Sequence, residues 1–284
     1  MPLVPTGELV ARAAAARRCV AAFNVITLEH AEAIADGAQA AGRPVILQIS
    51  ENAVRYHGGR LAPLARATAA VAEASEVELA LHLDHATDME LVRRAADNGF
   101  SSVMFDAGAL PHDRNIAATA EAARWAHGAG LWLEAELGYV GGKPDAPASA
   151  HAAGVRTDPA EAADYVARTG VDALAVAVGS SHAMTERTAS LDHGLIARLR
   201  EAVPVPLVLH GSSGVPDADL RAAVEAGMAK VNIGTALNVA FTRGVRDTLA
   251  ATPALTDPRK YLGPARTEVT ETVTTLLSVL SAPR

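Results

Sequence analysis

Cysteine is almost missing from this 284-residue chain: Cys19 stands alone. That excludes an internal disulfide and any zinc site built on cysteines, so a bound metal would need histidines and carboxylates. Long apolar runs are missing too. No stretch of about 18 such residues occurs, which leaves no candidate for a membrane-spanning helix. The opening segment MPLVPTGELVARAAAARR has no signal-peptide core, being interrupted by Glu8, Arg12 and the Arg17-Arg18 pair, and a cytoplasmic protein is expected. Clusters of Lys and Arg are absent and the formal net charge is -7. Neither nucleic acid nor an anionic membrane surface is therefore expected as a partner, and a small ligand is.

What is present suits a globular protein. Half of the residues are hydrophobic and a fifth are charged (50% and 20%), enough to bury a sizeable core. The length fits one α/β barrel domain over residues 1–284, since such barrels run to about 250 residues. Eight β-favouring apolar runs recur: CVAAFNV (19–25), PVILQIS (44–50), VELALHLDH (77–85), SVMFDAG (102–108), GLWLEAELG (130–138), ALAVAVGS (173–180), PLVLHGSSG (206–214) and KVNIGT (230–235). Each is followed by a stretch of helical spacing, the alternation of a parallel sheet with helical crossovers. Most runs are apolar throughout, as strands buried on both faces should be. A closed (β/α)8 TIM barrel and an open doubly wound sheet share this pattern.

Helix starts are legible at Thr87-Asp88, Thr157-Asp158-Pro159 and Val215-Pro216-Asp217, where capping side chains or Pro precede apolar spacing. Two segments stand outside the repeat. YVGGKPDAPASAHAAGVR (139–156) is too long for a routine connection and reads as a mobile lid. Near the C-terminus, Val269, Val273, Leu276, Leu277 and Leu280 form one helical stripe, an extra helix expected to pack on the barrel or on a partner subunit.

The polar residues gather at the C-terminal ends of the apolar runs, where such folds carry their sites. The third run ends in Asp84-His85, the sixth leads into His182 and the seventh ends in His210. Three histidines with an open fourth position suit a catalytic zinc. Asp84 could serve as a ligand, as an orienter of one or as a general base. Strict alternation would send Asp84 and His85 to opposite faces, so both reach one site only if the backbone turns there. Asp106 and Glu136 end the next two runs and are candidate additional metal ligands. Gly211, Ser212 and Ser213, with Asn232, Ile233, Gly234 and Thr235, end the last two. Backbone amides at such small-residue turns before helices suit a phosphate. Lys143 and Lys230 are the lysines nearest this rim and candidates to touch that phosphate, neither in the position of an obvious covalent nucleophile.

The motifs AFNV, LHLDHATD, GFSSVMFDAG, LEAELGYVGG, LAVAVGSSH, VPLVLHGSSG and KVNIGTAL resemble, in this order and over nearly the whole chain, the class II fructose- and tagatose-bisphosphate aldolases. The resemblance implies a barrel fold, zinc held by His85, His182 and His210, and Asp84 taking the proton of the substrate's C4 hydroxyl. Asp106 and Glu136 would form an alternative metal position. The glycine- and serine-rich segments would hold the C1 phosphate of a ketose bisphosphate, with Asn24 and Ser50 near the substrate. A monovalent cation beside the phosphate and a homodimer or larger homo-oligomer are implied as well. Cleavage of C3–C4 leaves an enediolate, whose charge a Zn2+ stabilises as a Lewis acid. Two departures stand out. Ala183 occupies a position where relatives usually carry Gly, and Lys143-Pro144 falls where the loop normally supplies a glutamate, with Asp145 a shorter substitute. Arg259 is a candidate for the distal phosphate. The competing readings are a barrel metallohydrolase and a non-catalytic sugar-phosphate-binding protein.

Overall fold

A computed structural model describes residues 3–138, 140 and 156–281. The lid expected over 139–156 therefore lies outside the described residues, apart from Val140 and Arg156.

Parallel strands β1 (Val20–Asn24), β2 (Val45–Ser50), β3 (Leu79–Ala86), β4 (Ser102–Phe105), β5 (Trp132–Leu137), β6 (Ala173–Val176), β7 (Leu207–Leu209) and β8 (Met228–Ile233) pair in chain order. Pairing of β1 with β8, Ala21 opposite Val231 and Phe23 opposite Ile233, closes the sheet into a barrel. The architecture is a (β/α)8 barrel. Helix α1 (Thr6–Ala15) precedes β1, and α2 (Leu28–Ala41) links β1 to β2. The short α3 (Glu51–Tyr56) and α4 (Leu61–Ala74) follow β2, then α5 (Met89–Ala96), α6 (His112–Gly128), α7 (Pro159–Thr169), α8 (His193–Ala202) and α9 (Asp217–Ala226) follow the next strands in turn. After β8 come α10 (Thr235–Ala251) and α11 (Pro258–Ser281). No helix among the described residues is long and apolar enough to cross a membrane.

The near-continuous hydrophobic runs are explained by apolar packing on both faces of the sheet. Alternate residues such as Ala21, Phe23, Val45, Leu47 and Ile49 face outward into the large core beneath the helices. Their neighbours Val20, Ala22, Ile46, Ala80 and Ala229 face the barrel axis, where α1 plugs the lower end with Leu9 and Val10. Above this apolar layer the inward positions turn polar: Gln48, His82, Ser102, Glu134 and Lys230 are all buried. Such a layer survives only if its groups pair with one another.

Helix boundaries follow the capping rules at two of the three expected starts. Asp88 accepts a hydrogen bond from the Glu90 amide, and Asp158 accepts from Ala160 and Glu161 with Pro159 in the first turn. The third differs, because Asp217 is already the first residue of α9 and its carboxylate pairs with Arg187. The C-terminal stripe packs on the barrel's own helices. In α11, Val269, Val273, Leu276, Leu277 and Leu280 are buried, and Thr270 and Thr274 donate hydrogen bonds to the carbonyls of Ala33 and Gly37 in α2. Gly37 permits that approach, since a Cβ there would lie 2.7 Å from Val273 Cγ1.

Candidate metal centre and cleft

The C-terminal rim of the barrel surrounds a cleft of about 460 Å³. Asn24, Ser50, Asp84, His85, His182, Gly211, Ser212, Ser213, Asn232, Gly234 and Thr235 line it together with Gln48, Asn52, Tyr56, Ser181 and Asn238. Ile233 is buried just below Gly234, with its side chain turned into the large core. Of the residues singled out by sequence, Arg259 stands apart: it pairs with Asp257 on an exposed surface and is not among the cleft's lining residues. Lys230, expected near the rim, is instead fully buried in the polar layer beneath the cleft. Lys143 and Asp145 lie outside the described residues.

His85 shows how two adjacent residues reach one site. Between β3 and β4 the register runs Leu83 opposite Val103 and then Ala86 opposite Phe105, so β3 carries one extra residue. Such a bulge breaks the alternation of faces. Its turning point is His85, with φ of +50°, in the left-handed region that residues with a side chain seldom enter. The bend is anchored next door. Glu51, buried at the start of α3, accepts hydrogen bonds from the Thr87 amide at 2.6 Å and the Thr87 hydroxyl at 3.0 Å.

Ligand atoms of His85, Glu136, His182 and His210 all lie within 4.8 Å of one another. The three imidazole centroids are 4.9 to 5.8 Å apart. Each histidine arrives by a different route: His85 on the bulge, His210 directly after β7, and His182 on a turn beyond the end of β6. Asp106 is not one of the four. Its carboxylate contacts His85 Nδ1 at 3.0 Å and accepts from the Gly108 amide, an arrangement that leaves His85 Nε2 to face the cluster.

His210 carries the strongest fit to a cation. Its Nε2 lies 2.8 Å from Glu134 Oε1; with Nε2 donating, Nδ1 keeps a lone pair. Nδ1 is buried and sits 3.0 Å from Glu136 Oε2. Burial opposes a charge on this ring, but Glu134 and Glu136 outweigh it and raise the pKa to about 9. The donor set thus favours positive charge, and nitrogen and carboxylate donors suit zinc.

Asp84 sits beside the cluster, buried, with Oδ1 3.4 Å from Asn232 Nδ2. Burial alone would push its pKa up. The fields of His85, His210, His82 and Lys230 prevail and hold it below the usual carboxylate value. It is therefore an ionised carboxylate beside the candidate metal cluster. His82, by contrast, is driven down to about 3, first by burial and then by Lys230, and its Nδ1 lies 2.7 Å from Ser102 Oγ. It stays neutral and structural.

Loops seven and eight form the opposite wall. Gly211 has φ of +66°, and a Cβ on it would fall 2.6 Å from the Ser181 carbonyl carbon. Ser212 donates to the Asn232 carbonyl and Ser213 Oγ accepts from the Ala236 amide in the first turn of α10. These bonds hold the loops against a helix N-terminus, an arrangement suited to an anion. Gly211→Ala is expected to destabilise the protein by roughly 2–5 kcal/mol, combining left-handed strain with overpacking, and to weaken binding of an anion at these loops. Thermal melting and titration with inorganic phosphate check this; an unchanged melting temperature and phosphate affinity would mean the two loops can move apart freely. Ala183, also in the left-handed region at φ +59°, carries a strain of about 1–2 kcal/mol that glycine would lack.

The residues that sequence reasoning missed are Gln48, Glu51, Asn52, Tyr56, Glu134 and Asn238. Gln48 fell inside an apolar run, yet its Nε2 donates to Asn24 Oδ1 at 2.8 Å and it lines the cleft. Glu134 alternates with Glu136 along β5, and that spacing by two was a usable sign that both face inward.

A sequence model of the family described as fructose-bisphosphate aldolase class-II matches residues 4–283. The chain is 41% identical over 275 residues to a probable fructose-bisphosphate aldolase of Bacillus subtilis, covering 96% of this chain and 95% of that one. It is 37% identical to the fructose-bisphosphate aldolase of Geobacillus stearothermophilus, again over 96% and 95% of the two chains. Among solved structures it is similar to the YdjI aldolase of Escherichia coli K12, with a TM-score of 0.83, 31% identity, and 98% and 97% coverage. With the barrel, the histidine cluster and these matches spanning nearly its full length, the chain belongs to the class II fructose-bisphosphate aldolases, enzymes whose reaction is aldol cleavage to dihydroxyacetone phosphate and an aldehyde.

Proposed function

We propose that this enzyme is a zinc-dependent ketose-bisphosphate aldolase, acting on fructose 1,6- or tagatose 1,6-bisphosphate, with Asp84 as its base. The observation that carries the reading is the convergence of four donor residues, His85, Glu136, His182 and His210, beside a buried, ionised Asp84. His85, His182 and His210 would hold the zinc, and Glu136 offers it a further oxygen. When bound, zinc supplies Lewis-acid stabilisation of the negative charge that develops on the ketose oxygens as the C3–C4 bond parts.

The protein's own groups do the remainder. Asp84 takes the C4 hydroxyl proton on its carboxylate. The C4 oxygen becomes the carbonyl of the aldehyde product, and the electron pair of the broken bond stays with the three-carbon fragment, which takes up a proton to become dihydroxyacetone phosphate. Gly211, Ser212 and Ser213, with the backbone from Asn232 through Ile233 and Gly234 to Thr235, hold the C1 phosphate, and Asn24 and Ser50 flank the sugar. Asp106 serves the site by fixing the His85 ring. The family resemblance extends the proposal to a cytoplasmic homodimer or larger homo-oligomer with a monovalent cation near the phosphate.

Chelation is expected to abolish dihydroxyacetone phosphate release from both bisphosphates, and zinc readdition to restore it. Cleavage that survives complete metal removal overturns the zinc assignment. Release of inorganic phosphate without an aldehyde would indicate the metallohydrolase instead.

A further inference from the structure

Below the cleft, Lys230 is fully enclosed by protein, and the steps assigned to the site make no use of it. Its Nζ lies 2.8 Å from Glu134 Oε2 and 2.8 Å from Asn232 Oδ1. Both partners lead upward. Glu134 uses its other oxygen, Oε1, to contact His210 Nε2 at 2.8 Å, while Asn232 presents Nδ2 to Asp84 Oδ1 at 3.4 Å. One ammonium group thus sits at the fork between a metal-cluster histidine and the base.

The donor and acceptor chemistry makes this fork directional. An ammonium only donates, so the Asn232 oxygen must face it and the Asn232 amide NH2 must face Asp84. Glu134 likewise has one oxygen occupied by Lys230, which aims the other at His210 Nε2 and leaves His210 Nδ1 turned to the cluster. Lose the ammonium and both orientations lose their anchor. We propose that Lys230 is a positioning residue that sets the ring of His210 and the amide of Asn232 at the same time, tying the geometry of the metal centre to that of the base. The inference rests on His210 as a zinc ligand and Asp84 as the base.

Lys230→Met and Glu134→Gln, each as the whole chain, test it through three readouts: zinc affinity by competition with a chromophoric chelator, the kcat and KM split, and thermal melting. For Lys230→Met, zinc affinity is expected to fall about 10–100-fold and kcat by a similar factor, with KM changed less than about 3-fold because phosphate contacts are untouched. Glu134→Gln is nearly isosteric and covers the case in which the first variant does not fold. Its amide has one acceptor oxygen for two donors, so either His210 or Lys230 is left facing an NH2 group. Zinc affinity or kcat must then fall at least about 10-fold. A purely structural role would lower the melting temperature and leave zinc affinity and kcat near wild type. Wild-type values of both in a folded Lys230→Met, or in Glu134→Gln if Lys230→Met does not fold, overturn the proposal. The wild-type protein separates the two levels: if it binds no zinc, the reading of the metal centre fails first, whereas tight wild-type binding with unaffected variants sinks the Lys230 inference alone.

Discussion

Replacing Asp84 with alanine is expected to leave zinc bound and to lower kcat for ketose bisphosphate cleavage by about 10²–10⁴-fold, the usual worth of a positioned general base. The two halves of this result have separate causes. Asp84 is not among the four residues whose ligand atoms converge, so metal affinity should stay within a few-fold of wild type. Among the described residues, no neighbouring carboxylate is placed to take over. Asp106 is engaged with His85 and the Gly108 amide, Glu136 belongs to the cluster, and Glu134 is tied to Lys230 and His210. Zinc content and the rate of dihydroxyacetone phosphate release from fructose and tagatose 1,6-bisphosphates provide the check. A variant that keeps full turnover with zinc present would remove Asp84 from the chemistry.

Replacing His210 with alanine should act in the opposite order, with the metal lost first and the activity lost as a consequence. Loss of a hydrogen-bond partner to a metal ligand costs about 10–100-fold in affinity, and removal of the ligand itself should exceed that. His210 is fully enclosed, so no solvent-borne group reaches its place easily, and Glu134 Oε1 loses the contact it makes now. Cleavage should fall to background and excess zinc should not restore it, while far-ultraviolet circular dichroism shows the barrel intact. A His210→Ala protein that retains tightly bound zinc would mean that His85, His182 and Glu136 suffice as ligands. Together the two variants separate proton transfer from metal binding, which a single inactive mutant cannot do.

Much of the architecture was written locally. The eight apolar runs became the eight strands because most are hydrophobic on both faces, and only a sheet covered by helices outside and filled within can bury both. The residues at their C-terminal ends were legible for the same reason: a parallel strand delivers its last residues to one rim. The C-terminal stripe of Val269, Val273, Leu276, Leu277 and Leu280 needed only helical spacing to be read, and it is buried as expected. Membership of the aldolase family was also present in the ordered motifs.

Three matters were settled only by long-range contacts. Closure depended on β1 meeting β8, a pairing between chain ends that no local pattern encodes. The shared direction of Asp84 and His85 depended on a bulge against β4 and a left-handed backbone at His85, held by Glu51 at the start of α3. Lys230 was expected near the rim, yet it opens the eighth run and points into the barrel, where Glu134 from β5 compensates its charge. Sequence by itself determined which residues are apolar, which end strands and which family they compose, because those follow from period and order. Tertiary structure alone decided which polar groups face one another, because a buried charge is tolerated only where a distant strand supplies its partner.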